Sequence, residues 1–138
     1  MREILFRGKS VNGYWIYGNF NFYPDINRTF IRKNNKELLP SFQTSLEEEV
    51  SKNTIGQYTG LTDKNETKIF EGDIVITNIK GSNTVCKVAW ADNVAQFQLW
   101  QFDTIPHTPT VLNLGNYDCE VIGNIHDNPE LLKGGGER

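Results

Sequence analysis

The chain has 138 residues, 38% hydrophobic and 22% charged, which predicts one folded domain, or one with a small appendage, and excludes a disordered segment. Two distant cysteines, Cys86 and Cys119, are too few for a disulfide framework and lack metal-ligand spacing, and no apolar run approaches the roughly 18 residues that cross a bilayer. The first residues lack the apolar core of a secretion signal, so the expectation is a soluble, cytoplasmic protein with a formal charge of −3 and no membrane association.

Taken in chain order, β signals dominate. Residues 4–7 (ILFR) and 14–23 (YWIYGNFNFY) read as strands, the second alternating Phe and Asn in its later half. Asn12-Gly13 between them is a two-residue hairpin signal. Thr29-Phe30-Ile31 is a further short strand, ended by a Lys-Asn-Asn-Lys turn cluster at 33–36. Residues 37–54 stay open between two readings. Ser45 and Glu48 fit a capping box that would start a helical turn, and the same residues could run extended into Val50.

Residues 55–59 (IGQYT) predict a strand with Gly60 as a turn or bulge, and residues 63–66 (DKNE) a turn. Ile69-Phe70 leads into a tight corner at Glu71-Gly72-Asp73, and residues 73–77 and 84–90 form a hairpin around a turn at 80–83. After a turn at 91–93, residues 96–100 (QFQLW) alternate again. Residues 103–118, with two prolines and a glycine, read as a long connection. Residues 120–125 form the last strand, Asn128-Pro129 starts a one-turn helix, and residues 134–138 form a flexible tail. The fold class is mainly β with little helix. Short strands at close spacing suggest a small SH3-like barrel over 55–133, with residues 1–54 as an N-terminal β region packing on it.

Charge is unevenly distributed along this order. Residues 1–36 carry seven bases and two acids, +5, residues 37–73 three bases and eight acids, −5, and the remainder −3. The first two segments either neutralise each other, within or between subunits, or leave the basic one available to phosphate. On the second reading the contacts are Arg2, Arg7, Lys9, Arg28, Arg32 and Lys33, with Trp15 and Tyr17 as candidate stacking platforms, although in a domain this small Trp15 is expected rather to fill the core. Against it stands a pI near 5.4.

Catalytic and cofactor signals are absent from the motif record. There is no phosphate-binding glycine loop, no His-Glu-x-x-His and no Gly-x-Ser-x-Gly. The acids Asp63, Glu66, Glu71 and Asp73 lack the spacing of a calcium loop. His107, His126, Asp118 and Cys119 lack zinc spacing, and Cys86 lies in a predicted strand, where a buried inert thiol is expected. The expectation is a non-enzymatic protein without cofactor or metal. A partner surface is sought at Trp100, Phe102 and the proline-bearing loop after them.

Several blocks resemble the YopX family of phage and prophage proteins. They are residues 2–9 (REILFRGK), 13–18 (GYWIYG), 88–90 (VAW) and 121–131 (VIGNIHDNPEL). The strongest is the signature Gly56-Gln57-Tyr58-Thr59-Gly60 continued through Glu71-Gly72-Asp73. The resemblance implies an SH3-like barrel, carriage on a temperate phage in a bacterial host cell, and a homo-oligomer, and it implies no catalytic activity. The expected role is therefore a self-associating accessory module that meets a phage or host protein, with nucleic-acid binding as the alternative. One departure is Glu66, where the family usually has Gly after Asp-Lys-Asn. Glycine tolerates positive φ and glutamate adopts it only at a cost, so the turn type is left open.

Overall fold

A computed structural model of the chain describes residues 3–33, 47–101, 110–116 and 118–132. These are mainly β, in two antiparallel sheets, and no closed barrel is seen among them. Contacts divide the chain into two units, Met1–Tyr58 and Thr59–Arg138. The expected division lay after residue 54. The tail at 134–138 lies outside the described residues.

In the first unit, strands β1 (Phe6–Lys9), β2 (Trp15–Tyr23), β3 (Arg28–Lys33) and β4 (Glu47–Val50) pair in the order β4-β3-β2-β1. The first residues of β5 (Gly56–Thr62) lie on the far side of β1, with Phe6 opposite Gln57. The β1–β2 connection is longer than Asn12-Gly13 alone suggests. Ser10 N donates to the Tyr14 carbonyl at 2.8 Å and Gly13 N to the Ser10 carbonyl at 3.0 Å, while Ser10 Oγ accepts from Asn12 N at 3.2 Å. The hydroxyl of Ser10 thus builds a wider loop in which Gly13 supplies the positive φ, 92°. Lys9 then pairs with Trp15, which turns Ile16 inward.

Ile16, Ile31 and Val50 form the buried core of this unit, with Phe6 and Ile55 packed on it. A Cβ on Gly8 would lie 2.9 Å from Val50 and Ile55, so the core packs directly on backbone there. Over 47–50 the extended alternative is the one adopted; Ser45 and Leu46 lie outside the described residues. Alternation in β4 sends Glu48 and Val50 to one face and Glu47 and Glu49 to the other, each opposite a β3 residue. A helical turn would have denied those carboxylates the cations of β3.

In the second unit, the rest of β5 is followed by β6 (Lys68–Phe70), and β7 (Asp73–Ile79), β8 (Ser82–Ala91), β9 (Gln96–Gln101), β10 (Thr110–Asn113) and β11 (Cys119–Asn124) pair in the order β10-β9-β8-β7-β11. The β7–β8 turn narrows to Lys80-Gly81, both at positive φ, because strand pairing continues to Ile79 opposite Ser82. The expected long connection at 103–118 contains a strand, β10, paired with β9. Its four residues are too short a run between Pro109 and Gly115 for periodicity to reveal. Ile69, Val75, Cys86, Val88, Leu99, Leu114 and Cys119 form the buried core. The one-turn helix expected after Asn128 is a 3-10 turn at Pro129–Leu132.

Glu66 closes the β5–β6 turn with φ 65°, donating its N–H to the Asp63 carbonyl at 2.9 Å. The turn left open by the sequence is therefore the one that favours glycine, and glutamate occupies it in the left-handed region. Glu66→Gly is expected to raise stability by about 0.5–1 kcal/mol, relief of the left-handed penalty less the added flexibility of the unfolded chain. A shift of the urea midpoint upward at constant slope checks this.

Candidate functional site

The register of the first unit gathers onto one face residues that are scattered in sequence. Opposite the Ile16–Ile31 core side, β2 presents Trp15, Tyr17, Asn19, Asn21 and Tyr23 in two-residue steps. Beside them β1 contributes Arg7 and Lys9, and β3 contributes Arg28, Phe30 and Arg32. Arg7 is only 6% exposed, its guanidinium 4.7 Å from the centre of the Trp15 ring, and the Lys9 ammonium lies 6.0 Å from the same ring. Farther along, Arg28 lies over Phe30 at 5.3 Å, and Tyr23 meets Phe30 edge-on at 5.4 Å. Tyr17 and Tyr23 are exposed. Cations alternating with aromatic rings in this way support one another through the ring quadrupole.

β4 brings carboxylates to the same face. Arg28 holds Glu49 through two nitrogens, Nη2 to Oε1 at 2.6 Å and Nε to Oε2 at 2.8 Å. This two-point bond holds the Glu49 carboxyl below its ordinary range and raises Arg28 above its own. Glu47 accepts from Asn21 Nδ2 at 2.9 Å and from the Tyr23 hydroxyl at 2.9 Å, and stands opposite Arg32 in register. The bond to Glu47 pushes the Tyr23 hydroxyl up. Asn21, Tyr23, Arg32 and Glu47 line a depression of about 210 Å³. Lys33 turns to the other face, where it pairs with Glu48 at 3.4 Å and Glu48 also accepts from the Tyr14 hydroxyl.

The six basic candidates therefore divide. Arg7, Lys9, Arg28 and Arg32 share a face, Lys33 does not, and Arg2 lies outside the described residues. Two bases of the +5 segment, Arg28 and Lys33, meet the acidic segment within the chain, through Glu49 and Glu48 of β4. Asn19, Asn21, Tyr23, Phe30, Glu47 and Glu49 were not singled out by sequence reasoning. The Phe/Asn alternation of β2 is the signal that could have found the asparagines, once the inward face was known.

The family signature resolves into architecture, its first three residues in the first unit and the rest in the second. Thr59 Oγ1 donates to the Ile69 carbonyl at 2.8 Å, and Gly60 adopts φ 89° beside it. Gly56, Gln57 and Tyr58 belong to the first unit, and Tyr58 N donates to the Leu5 carbonyl at 2.8 Å. At the corner, buried Asp73 accepts from Phe70 N at 2.7 Å, and Gly72, at φ 91°, donates to the Val88 carbonyl at 2.9 Å. Glu71 is half-buried. Asp63 is buried and accepts three backbone N–H groups, from Asn65 at 2.8 Å, Thr67 at 2.9 Å and Val121 at 3.0 Å. Burial alone would push its carboxyl up, and the three bonds outweigh that and hold it below its ordinary value. Among the described residues no three His, Cys, Asp or Glu converge on a metal position.

Cys86 and Cys119 are both buried. The Cys119 thiol is pushed up to about 11, first by burial and then by the charges of Asp63, Asp118 and Asp73, so it stays protonated near neutrality. It lies at the wall of a cleft of about 330 Å³ beside Thr77, Asn78 and Asn83. His126 is half-buried, and its backbone N–H donates to Asn124 Oδ1; His107 lies outside the described residues. Trp100 is half-buried, donates to Gln98 at 3.0 Å and carries the Lys87 ammonium 5.2 Å over its ring, while Phe102 lies outside the described residues. The most exposed tryptophan feature is instead the β8–β9 hairpin end. There Trp90, 40% exposed, meets Phe97 edge-on at 4.9 Å, and Val94 in the turn between the two strands is 51% exposed.

No described helix is long and apolar enough to cross a membrane. The family model described as YopX protein matches residues 6–133. A solved structure, the crystal structure of protein EF1440 from Enterococcus faecalis, is similar with a TM-score of 0.54 and 25% identity, over 96% of this chain and 100% of that one. No curated protein matches the chain.

Proposed function

The chain belongs to the YopX family, and on that premise we propose that it is a non-enzymatic, phage-encoded accessory protein of the bacterial cytoplasm that works by self-association. The observation that carries this reading is the apolar end of the β8–β9 hairpin. Trp90 and Phe97 are opposite one another in register, and Val94 lies in the turn that joins their strands, leaving a tryptophan and a valine in water. Water penalises such a patch, and tryptophan is enriched among the residues that dominate protein contacts. A small apolar patch at a hairpin end suits an isologous contact, in which the same residues serve both subunits.

The finer description of the second unit as SH3-like belongs to the same proposal. Its support is local: the positive φ of Gly60 within β5, and the register shift between Val121 and Gly123 in β11, both bend strands in the manner that curls a sheet. In the first unit, the Ser10–Val50 bridge and the bond from Ser51 N to the Lys9 carbonyl at 2.8 Å bring the ends of β1 and β4 together.

Light scattering across a concentration series tests the association. The wild type is expected to form an oligomer at high micromolar concentration, and Trp90→Ala to weaken it about 30-fold, the effect of losing one dominant contact residue. Trp90 is too exposed for its truncation to collapse the core, so circular dichroism should be unchanged. A clean monomer at high micromolar concentration in the wild type would overturn the proposal.

A further inference from the structure

Independently of the hairpin, we propose that the aromatic and cationic face of the first unit binds single-stranded nucleic acid, and that Glu47 and Glu49 hold its affinity down by occupying its cations. Three observations combine. First, rings and cations interleave along β2 and its neighbours, from Trp15 to Tyr23, a distance of about 27 Å at strand rise. Aromatic platforms beside phosphate-binding cations are what a flexible single strand requires, because each base offers a ring face and each linkage a charge.

Second, Arg28 already holds an oxyanion in the two-point geometry that a phosphate takes, with Glu49 as the occupant. Third, the depression lined by Asn21, Tyr23, Arg32 and Glu47 holds amide, hydroxyl and guanidinium groups suited to a base edge, the first two engaged by Glu47 in this structure. An acidic peptide would meet the same cations but would leave the ring faces unused. A duplex has its bases stacked inside and could not reach the rings.

Charge arithmetic makes the masking testable. Lys9, Arg28 and Arg32 reach solvent on this face, while Arg7 lies buried beneath Trp15, and Glu47 and Glu49 oppose the three. Removing both carboxylates raises the charge of this face by two. With about 0.7 counterions released per single-strand phosphate contact, the slope of log affinity against log salt should steepen by about 1.4.

Fluorescence anisotropy of the full chain with labelled oligothymidylate and oligouridylate of about 12 nucleotides, between about 50 and 200 mM salt, reads both quantities. The Glu47→Gln/Glu49→Gln variant is expected to bind at least about tenfold more tightly than the wild type at the lower salt. Tyr17→Ala in that background should lose about fivefold or more, and Glu120→Gln in the second unit should change nothing. The relative affinity for the two oligonucleotides identifies DNA or RNA as the ligand. Should the double variant fail to fold by circular dichroism, Glu49→Gln, which keeps an oxygen for Arg28, carries the test with half the change in slope. Binding no tighter after charge removal, an unchanged salt slope, or equal affinity for a duplex would overturn the proposal.

Discussion

Asp63→Asn is expected to destabilise the second unit by about 3 kcal/mol. The carboxylate spends Oδ1 on Asn65 and Thr67 and Oδ2 on Val121, so both oxygens are engaged by donors. An asparagine must place its NH2 against one of them. Donor then meets donor in a buried position, and the remaining bonds lose the strengthening of an ionised acceptor. The bond to Val121 reaches across 58 positions and is reinforced by Lys64 N donating to the Cys119 carbonyl at 3.0 Å. The turn thereby covers the outer edge of β11, and its loss should expose that edge to hydrogen exchange, beginning at Val121.

The same residue gives an acid limb to stability. Its folded carboxyl titrates below its unfolded value, so the contribution is fully present above roughly pH 4 and disappears as pH falls through the lower folded value. Asp63→Asn should therefore flatten the wild-type loss of stability in that window. Equal urea midpoints for wild type and variant at pH 7 would show that the three bonds do not hold the turn.

Gly18→Ala should cost the first unit at least about 3 kcal/mol. A Cβ there would lie 2.0 Å from the Arg32 carbonyl oxygen and 2.9 Å from its carbon. Both are backbone atoms of β3, so no rotamer change relieves the overlap. β2 and β3 pair continuously from Gly18 opposite Lys33 to Tyr23 opposite Arg28, and they would have to separate at one end. Loss of amide protection in Arg28–Lys33, with the second unit's protection retained, is the expected pattern. Wild-type exchange rates in β3 would refute the close approach. The oligonucleotide face, carried by the same two strands, should be lost together with it.

These predictions rest on features that differ in how readable they are. Strands β2, β7, β8, β9 and β11 were legible because each is long enough for alternation or β-branched composition to register. Strand β10 and the extended state of Glu47–Val50 were not, since four residues carry too little pattern and their pairing is with distant segments. Glu66 marks the reverse case. A local departure from the family pattern pointed at one backbone angle, which the turn does adopt at positive φ. Trp15 departs from the expectation that it fills the core. It is half-buried and stacked with Arg7, because strand alternation places it on the side opposite Ile16.

From residue order alone came the β class, the two-part charge pattern and the corner at Glu71-Gly72-Asp73, which depend on composition and near-neighbour chemistry, and the resemblance to the family, which rests on ordered blocks of matching residues. Tertiary structure decided which charges meet. Arg28 and Glu49 are 21 residues apart, and only antiparallel pairing of β3 with β4 brings them to 2.6 Å. It also decided the role of Asp63, whose third partner lies in another strand, and the common face of Arg7, Lys9, Arg28 and Arg32. Alternation fixes a side chain's face only once register is set, and register is set by the burial of Ile16, Ile31 and Val50 together.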